Sequence, residues 1–144
     1  MNQTYKYTLN SALEADKKNE LFQWAQDYLR GEGWNKGLAD HLMEEKPSIA
    51  MLMEFPLDKL KRIMGPEQGM NFVEESEVWE KRVTNLVERI KEGKEFPPLM
   101  VTDFWKPLEL SDGSHRHEAF IRCGYDKYWT IFFFKNNHSL QLLS

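Results

Sequence analysis

The sequence predicts one α+β domain, in which helices pack against a small mixed β-sheet. Apolar residues recur at helical spacing in four segments, whereas short runs of β-branched and aromatic residues are typical of strands. The chain has 144 residues, of which 41% are hydrophobic. That is enough for one core, because a domain of this size buries about 68–70% of its unfolded surface. We expect a single domain over residues 1–144, with an N-terminal helical elaboration (1–47), a core (48–134) and a tail (135–144).

The first part of the chain predicts two helices. Residues 1–10 alternate polar and aromatic side chains, which indicates a short strand or a docked arm. Residues 12–30 carry apolar side chains at helical spacing and predict one amphipathic helix. Residues 36–45 predict a second, shorter helix with His41 on its inner side, and Pro47 bounds that helix.

The middle of the chain predicts a strand, a loop and a long helix. Residues 48–55 form a compact apolar run between two prolines, and its length favours a buried strand. Residues 62–72 contain two glycines and a proline, and therefore predict a loop. Apolar side chains in residues 74–92 fall on one stripe of a helix, and Gly93 is placed to end it.

The last part of the chain predicts a hairpin, a helix and a closing strand. Residues 99–104 and 108–110 are typical of two paired strands joined by a short connection. The helix that follows is expected to turn an apolar side that includes Ile121 towards the core. Gly124 is the left-handed residue expected just past its last turn. Residues 128–134 are dense in aromatic and β-branched side chains and predict the last strand.

Composition limits the function and the location of the protein. A net charge of −4 and a pI near 5.6 argue against a broad positive surface for nucleic acid, which is therefore not the favoured partner. The single cysteine excludes an internal disulfide and fits a reducing cytoplasm. No apolar run approaches the roughly 20 residues of a membrane span, and the N-terminus lacks the features of a signal peptide. We expect a cytoplasmic protein without a membrane segment.

The strongest functional signal is the run Asp112-Gly113-Ser114-His115-Arg116. Asp112 and Gly113 predict a tight turn, and Ser114 is a good N-cap for the next helix. Gly113 also lacks the Cβ atom that would keep an anion away from the backbone. His115 and Arg116 place an imidazole and a guanidinium fork in the first helical turn. A glycine turn, a helix N-terminus and an arginine together predict a site for a phosphate or a carboxylate.

This run resembles the central motif of the ParB/sulfiredoxin superfamily, whose members carry a strand, a D-G-x-H-R sequence or a close relative, and a helix. The sequence EFPLDKL at residues 54–60 is similar to the family's opening strand and its P-L-x-x-L corner. Residues 78–93 are similar to the next helix of the family, and PPLMV at residues 97–101 to the strand that leads to the motif. The resemblance covers residues 51–134 and implies the fold of that family.

The resemblance implies a nucleotide ligand, ATP or another nucleoside triphosphate with Mg²⁺. The residues expected at the nucleotide are Gly113, Ser114, His115 and Arg116. In sulfiredoxins the residue before the His-Arg pair is the reactive cysteine. Because Ser114 stands there and the thiolate is the nucleophile, sulfiredoxin activity is not expected. Cys123 is instead expected to be an inert core residue. Full partition proteins add a helix-turn-helix region after the nucleotide-binding part, and we expect no such DNA reader here.

The remaining branch resembles small-molecule kinases, in which an acidic residue from the loop after the corner activates a substrate hydroxyl. That loop offers Glu67, Glu74 and Glu75. We predict Glu67, because the glycines and the proline around it build a rigid turn. The catalytic candidates are therefore Glu67, Asp112 and His115, acting on a small acceptor that the sequence does not identify.

Other interpretations stay open at this point. Asp112 either caps the turn or contacts a nucleotide hydroxyl, a substrate amine or Mg²⁺. One alternative is that the whole protein is a non-catalytic DNA-associated or regulatory module that keeps the anion site. Another is that it is a nuclease-like enzyme. A zinc site formed by His115, His117 and Glu118 is not expected, because their spacing does not put three ligands on one helical face. The oligomeric state is not indicated.

Overall fold

A four-stranded mixed sheet lies between two layers of helices. The structure is a computed structural model that describes residues 6–144. Its helices are α1 (Leu9–Lys17), α2 (Leu21–Arg30), α3 (Lys36–Glu45), α4 (Ser76–Lys91) and α5 (Ser114–Arg122). Its strands are β1 (Ile49–Pro56), β2 (Met64–Gly65), β3 (Phe72–Val73), β4 (Leu99–Thr102), β5 (Leu110–Asp112) and β6 (Lys127–Phe134). These elements confirm the predicted α+β class.

The sheet has the strand order β1-β6-β4-β5. Strand β6 runs antiparallel to β1 and parallel to β4, and β4 runs antiparallel to β5. The short strands β2 and β3 form a separate parallel pair. Because β5 is an edge strand and α5 follows it after a single residue, the start of α5 lies at one margin of the sheet.

Side chains of the central strand β6 point alternately to the two faces of the sheet, and the core is therefore divided into two parts. Ile131 and Phe133 pack with the buried side chains of α1, α2 and α3 on one face of the sheet. Phe132 and Phe134 pack on the other face, together with Phe120 of α5. Both faces are therefore covered, as the continuous apolar run of this strand requires.

Two helices stand where one helix was predicted over residues 12–30. Helix α1 begins at Leu9 behind a capping box formed by Thr8 and Ser11, and it ends at Lys17. The chain then turns through Asn19, whose φ of 58° is incompatible with a continuous helix. The polar run after position 16 offers no apolar side chain that would continue the stripe. The part of the predicted arm at residues 1–5 lies outside the described residues.

The predicted strand over residues 48–55 is present, but it is not buried as predicted. Strand β1 is an edge strand, and Phe55 is its one buried side chain. Ala50 and Met51 are exposed, one on each face of the sheet. The predicted loop over residues 62–72 carries the short strand β2 and the first residue of β3.

The remaining helices match their predictions closely. Helix α3 has the predicted bounds, and Gly93 and Gly124 adopt positive φ angles after α4 and α5. Two side chains face differently from the prediction. His41 is exposed on α3, and Ile121 is 43% exposed on α5, where Phe120 makes the buried contact instead. Helix α5 packs on α4 through a small cluster of Trp79, Val83 and Ala119.

Candidate functional site

Helix α5 begins beside a cleft of about 260 Å³. The end of α2, the segment before β4 and the turn between β5 and α5 meet there. The lining of this α5 cleft includes Tyr28, Gly33, Phe96, Asp112, His115 and Arg116. The turn at the start of α5, the predicted anion site, therefore forms part of a concave surface.

The turn into α5 requires the glycine at position 113. Gly113 has a φ of +105°, and a Cβ atom there would lie 2.6 Å from Leu99 Cδ2. Gly113 also holds the N-cap position that was predicted for Ser114, which is instead the first, buried residue of the helix. A glycine cap has no side chain to accept the first N–H groups of the helix. Those donors are therefore left without a side-chain cap.

The first turn of α5 presents unbonded backbone donors. The His117 N–H donates to the carbonyl of Gly113 at 2.8 Å, which closes the first helical turn. No described residue accepts a hydrogen bond from the backbone N–H of Ser114, His115 or Arg116. Free N–H groups and the positive end of the helix dipole favour an anion at this place.

Arg116 does not present the open guanidinium fork that the sequence predicts. Its Nη1 donates to the hydroxyl of Tyr28 at 3.0 Å, and its Nη2 donates to the carbonyl of Pro98 at 3.0 Å and to Asp112 Oδ2 at 3.1 Å. The buried Nε has no partner among the described residues. Arg116 therefore builds the cleft from inside, and its terminal nitrogens are already engaged.

The pKa values of Arg116 and Tyr28 are both shifted in the buried floor of the cleft. Burial lowers the pKa of Arg116, but the neighbouring Tyr28 and Asp112 more than offset that effect, so the pKa is raised. Burial also raises the pKa of Tyr28. The phenol therefore stays neutral, and its oxygen accepts the guanidinium hydrogen bond at every physiological pH.

Asp112 has a partner for each of its carboxylate oxygens. Oδ2 accepts from Arg116, and Oδ1 accepts from the Asn35 side-chain amide at 2.9 Å. The same amide is 3.3 Å from the carbonyl of Ser111, and the Asn35 oxygen caps α3 by accepting from the Leu38 N–H. We call Tyr28, Asp112 and Arg116 the floor of the cleft. Asn35 ties this floor to the N-terminal helices.

His115 lies at the rim of the cleft in a pair with Glu74. Its Nε2 is 2.8 Å from Glu74 Oε1, and its ring centroid is 4.6 Å from that of Trp79. Glu74 also lies 3.3 Å from Arg82, and its backbone N–H donates to the carbonyl of Gly65 at 2.8 Å. With Nε2–H donated to the carboxylate, the neutral imidazole keeps a lone pair on Nδ1. The pair is thus an oriented histidine with one ring nitrogen left for a ligand.

Glu67 is not among the residues that line the cleft. Its carboxylate bonds Arg62 at 2.6 Å, and this hydrogen bond lowers the pKa of Glu67. The loop that carries Glu67 does reach His115, but through Glu74, which precedes α4 because that helix begins at Ser76. The carboxylate beside the His115 imidazole therefore belongs to Glu74, which was predicted to be the first residue of the helix over residues 74–92.

His117 and Cys123 face away from the cleft. His117 Nε2 is 2.8 Å from the carbonyl of Leu57, so this nitrogen carries the hydrogen, and the buried Nδ1 has no partner among the described residues. Burial lowers the pKa of His117. Cys123 is partly buried, with its Sγ 3.9 Å from the carbonyl of Val87.

Residues 6–10 lie along one wall of the cleft, and no functional role was predicted for them from the sequence. Glu32 accepts from the backbone N–H of Lys6 at 2.9 Å and of Tyr7 at 3.3 Å. Glu95 accepts from the backbone N–H of Asn10 at 2.5 Å. Tyr7, Glu32 and Glu95 all line the cleft. Contacts across such sequence distances leave no local pattern from which they can be predicted.

Two further features are absent from residues 6–144. Within that range no group of three His, Cys, Asp or Glu side chains is arranged to hold a metal ion. No helix of the described part of the chain is long and apolar enough to cross a bilayer. A larger depression of about 610 Å³ lies on the tail at residues 136–142 and contains none of the predicted site residues.

No protein-family model, curated protein or solved structure matches this chain at a significant level. The resemblance to the ParB/sulfiredoxin superfamily therefore stays a prediction from the motif.

Proposed function

We propose that this protein binds a nucleoside triphosphate, with the phosphates at the start of α5. The observation that carries the proposal is the set of unbonded N–H groups at residues 114–116, of which His115 and Arg116 line the cleft. A phosphate at a helix N-terminus gains both hydrogen bonds and a favourable dipole. The similarity of residues 112–116 to the ParB/sulfiredoxin motif supports the same class of ligand.

In this proposal, His115 binds phosphate and Arg116 shapes the site. Glu74 accepts from Nε2–H and orients the imidazole, whose Nδ1 hydrogen-bonds a phosphate oxygen when that nitrogen carries a proton. Arg116 donates to the Pro98 carbonyl and to Asp112, and so holds Asp112 and the turn at Gly113 in place. Its guanidinium group contacts no phosphate in this proposal. Mg²⁺, when bound, offsets phosphate charge. It is held mainly by phosphate oxygens and water, since both oxygens of Asp112 have partners.

The His115–Glu74 pair also suits phosphoryl transfer to a small acceptor. In an enzyme, Nδ1 carries no proton and faces the acceptor instead of a phosphate. It takes the proton of an acceptor hydroxyl, whose oxygen attacks the γ-phosphate while the nucleoside diphosphate leaves, and the N–H groups of α5 hold the phosphates. Glu74 stabilises the imidazolium that forms. Glu67, the base predicted from the sequence, is paired with Arg62 and does not line the cleft. We therefore assign the base role to His115, with Glu74 as its positioning residue.

We further propose that the protein acts in the cytoplasm, where nucleoside triphosphates are abundant. The single cysteine of the chain is consistent with a reducing compartment.

A non-catalytic regulatory module is the second candidate, and one observation favours it. Three of the four carboxylates that were considered for catalysis already have a cationic or imidazole partner, and the fourth, Glu75, is exposed and does not line the cleft. Glu67 pairs with Arg62, Asp112 with Arg116, and Glu74 with both His115 and Arg82. Such a module binds the same ligand at the same donors and does not turn it over.

The test is a calorimetric and thermal-shift titration with ATP and with inorganic tripolyphosphate, each with and without Mg²⁺. Both ligands are expected to stabilise the protein, since a ligand at 100 times its Kd stabilises by about 2.7 kcal/mol. His115→Gln is expected to weaken binding by about tenfold or more, as for a lost charge-assisted hydrogen bond. The matched control is His138→Gln, which changes an exposed histidine on the tail and should leave affinity unchanged.

Turnover then separates the two candidates. An enzyme should release nucleoside diphosphate when acceptors are supplied, and Glu74→Gln should slow release by about 10²–10⁴-fold, whereas Glu67→Gln should not. Binding without release in any acceptor panel favours the regulatory module. The proposal fails if neither ligand binds at millimolar concentration, or if His115→Gln matches His138→Gln both in affinity and in turnover.

A further inference from the structure

Trp34 is far more exposed to solvent than any other tryptophan of the protein. Its exposed fraction is 93%, against 2% for Trp79 and 56% for Trp105. Trp105 packs against the rings of His41 and Phe104, whereas no ring of residues 6–144 contacts Trp34. The full face of the indole is therefore available to a ligand.

The backbone around Trp34 is held in place. Trp34 has a φ of 49°, which is uncommon for a bulky residue. The N–H groups on either side fix this conformation, since Gly33 donates to Tyr28 O at 2.7 Å and Asn35 to Leu29 O at 2.8 Å. A Cβ atom at Gly33 would lie 2.8 Å from the Tyr28 ring, so the loop sits directly on that ring. The indole is therefore attached to a fixed support.

The same contacts place the backbone of Trp34 at the rim of the α5 cleft, whose lining does not include the Trp34 side chain. Gly33, its neighbour on one side, lines the cleft. Asn35, its neighbour on the other side, donates to Asp112 Oδ1 at 2.9 Å in the cleft floor. Each neighbouring Cα lies about 3.8 Å from that of Trp34. The exposed indole is thus attached between two residues of the cleft into which α5 turns its first donors.

We propose that Trp34 is the stacking platform for the base of the nucleotide. This inference rests on the proposed function. It adds a binding site for the base, at the other end of the nucleotide from the phosphates. Every nucleobase has a π-face, and stacking on an aromatic side chain discriminates little between bases. The ligand class is therefore a nucleotide of low base specificity, gripped by its phosphates at α5 and by its ring at Trp34.

The experiment compares ATP with inorganic tripolyphosphate, which carries the phosphates without a base. Affinities for both are measured calorimetrically on the wild type, Trp34→Ala, Trp34→Phe and Trp105→Ala. Trp34→Ala should weaken ATP binding by about 5- to 150-fold, the usual effect of losing one stacked base. Tripolyphosphate affinity should be unchanged. Trp34→Phe should retain most of the ATP affinity, and Trp105→Ala should behave as the wild type.

The outcomes separate this inference from the proposed function. Equal wild-type affinity for ATP and tripolyphosphate would overturn the stacking role while leaving the phosphate site intact. Equal losses for both ligands in Trp34→Ala would also overturn it, because Trp34 would then support the shape of the phosphate site. Failure of the wild type to bind either ligand contradicts the proposed function, and the inference falls with it.

Discussion

The floor and the rim of the α5 cleft differ in how completely their side chains are partnered. On the floor, Arg116 and Asp112 bond each other and further groups, and both are almost buried. At the rim, His115 keeps one ring nitrogen without a described partner, and Trp34 contacts no ring of the described residues. The charged residue that looked most like a phosphate contact in the sequence is thus the one most engaged within the fold.

This difference follows from the cost of burying polar groups. A buried charge without a partner destabilises the protein strongly, so the floor has to be internally paired before any ligand arrives. A rim group in contact with water has no such requirement and stays available. We therefore expect substitutions in the floor to change stability, and substitutions at the rim to change binding.

The largest expected effect is on the floor. Arg116→Met leaves the Asp112 carboxylate without its ion-pair partner and should lower the free energy of unfolding by about 3–5 kcal/mol, measured by urea denaturation. Adding Asp112→Asn should recover part of that loss, because the buried charge is then removed. The matched control is Arg30→Met, which breaks an Arg–Asp pair with Asp40 on the surface and should cost much less. Similar losses for the two arginines would contradict the view that the floor depends on its buried ion pair for stability.

Local signals allowed much of the fold to be predicted. Glycines with positive φ follow α4 and α5 as predicted, and the helical stripe of α4 was visible in the sequence. The edge position of β1 was not visible, because an apolar run looks the same in a central strand and in an edge strand. The break before α2 depends on a single left-handed residue, Asn19, in a polar run that a helix also tolerates.

The site was predictable only as a motif. The turn at Gly113 follows from neighbouring residues, but the partners of its side chains come from distant parts of the chain. Tyr28 is 88 positions from Arg116, and Glu74 is 41 positions from His115. Sequence spacing therefore could not show that Arg116 is engaged, or that Glu74 rather than Glu67 meets the imidazole.

A pH titration sharpens the comparison between the two histidines of α5. The pKa of His117 is lowered by burial in the folded state, against about 6.5 in the unfolded chain. Above that unfolded value both states are neutral. Below it the unfolded chain binds a proton that the folded protein refuses, so His117 makes stability fall as the pH falls until the folded pKa is reached.

The expected slope from His117 is at most about 1.4 kcal/mol per pH unit, the value for one proton. His117→Gln keeps a donor for the carbonyl of Leu57 and removes the titration. Thermal or urea unfolding between pH 7 and pH 5 should therefore show a shallower loss in the variant than in the wild type. Parallel curves for the two proteins would mean that burial does not hold His117 neutral.

The smallest expected effect is at the rim and has the opposite sign. Trp34→Gly relieves a left-handed conformation worth about 1–2 kcal/mol, and the greater freedom of glycine in the unfolded chain offsets about 0.5–1 kcal/mol of it. Because the indole is exposed, no burial is lost, and urea denaturation should show a net gain of about 0.5 kcal/mol. Trp34→Ala keeps the strained φ and should show no gain. A protein that becomes more stable as it loses its affinity for the base would show that the conformation of Trp34 is maintained for binding. A loss of stability in Trp34→Gly would instead make the rim as structural as the floor.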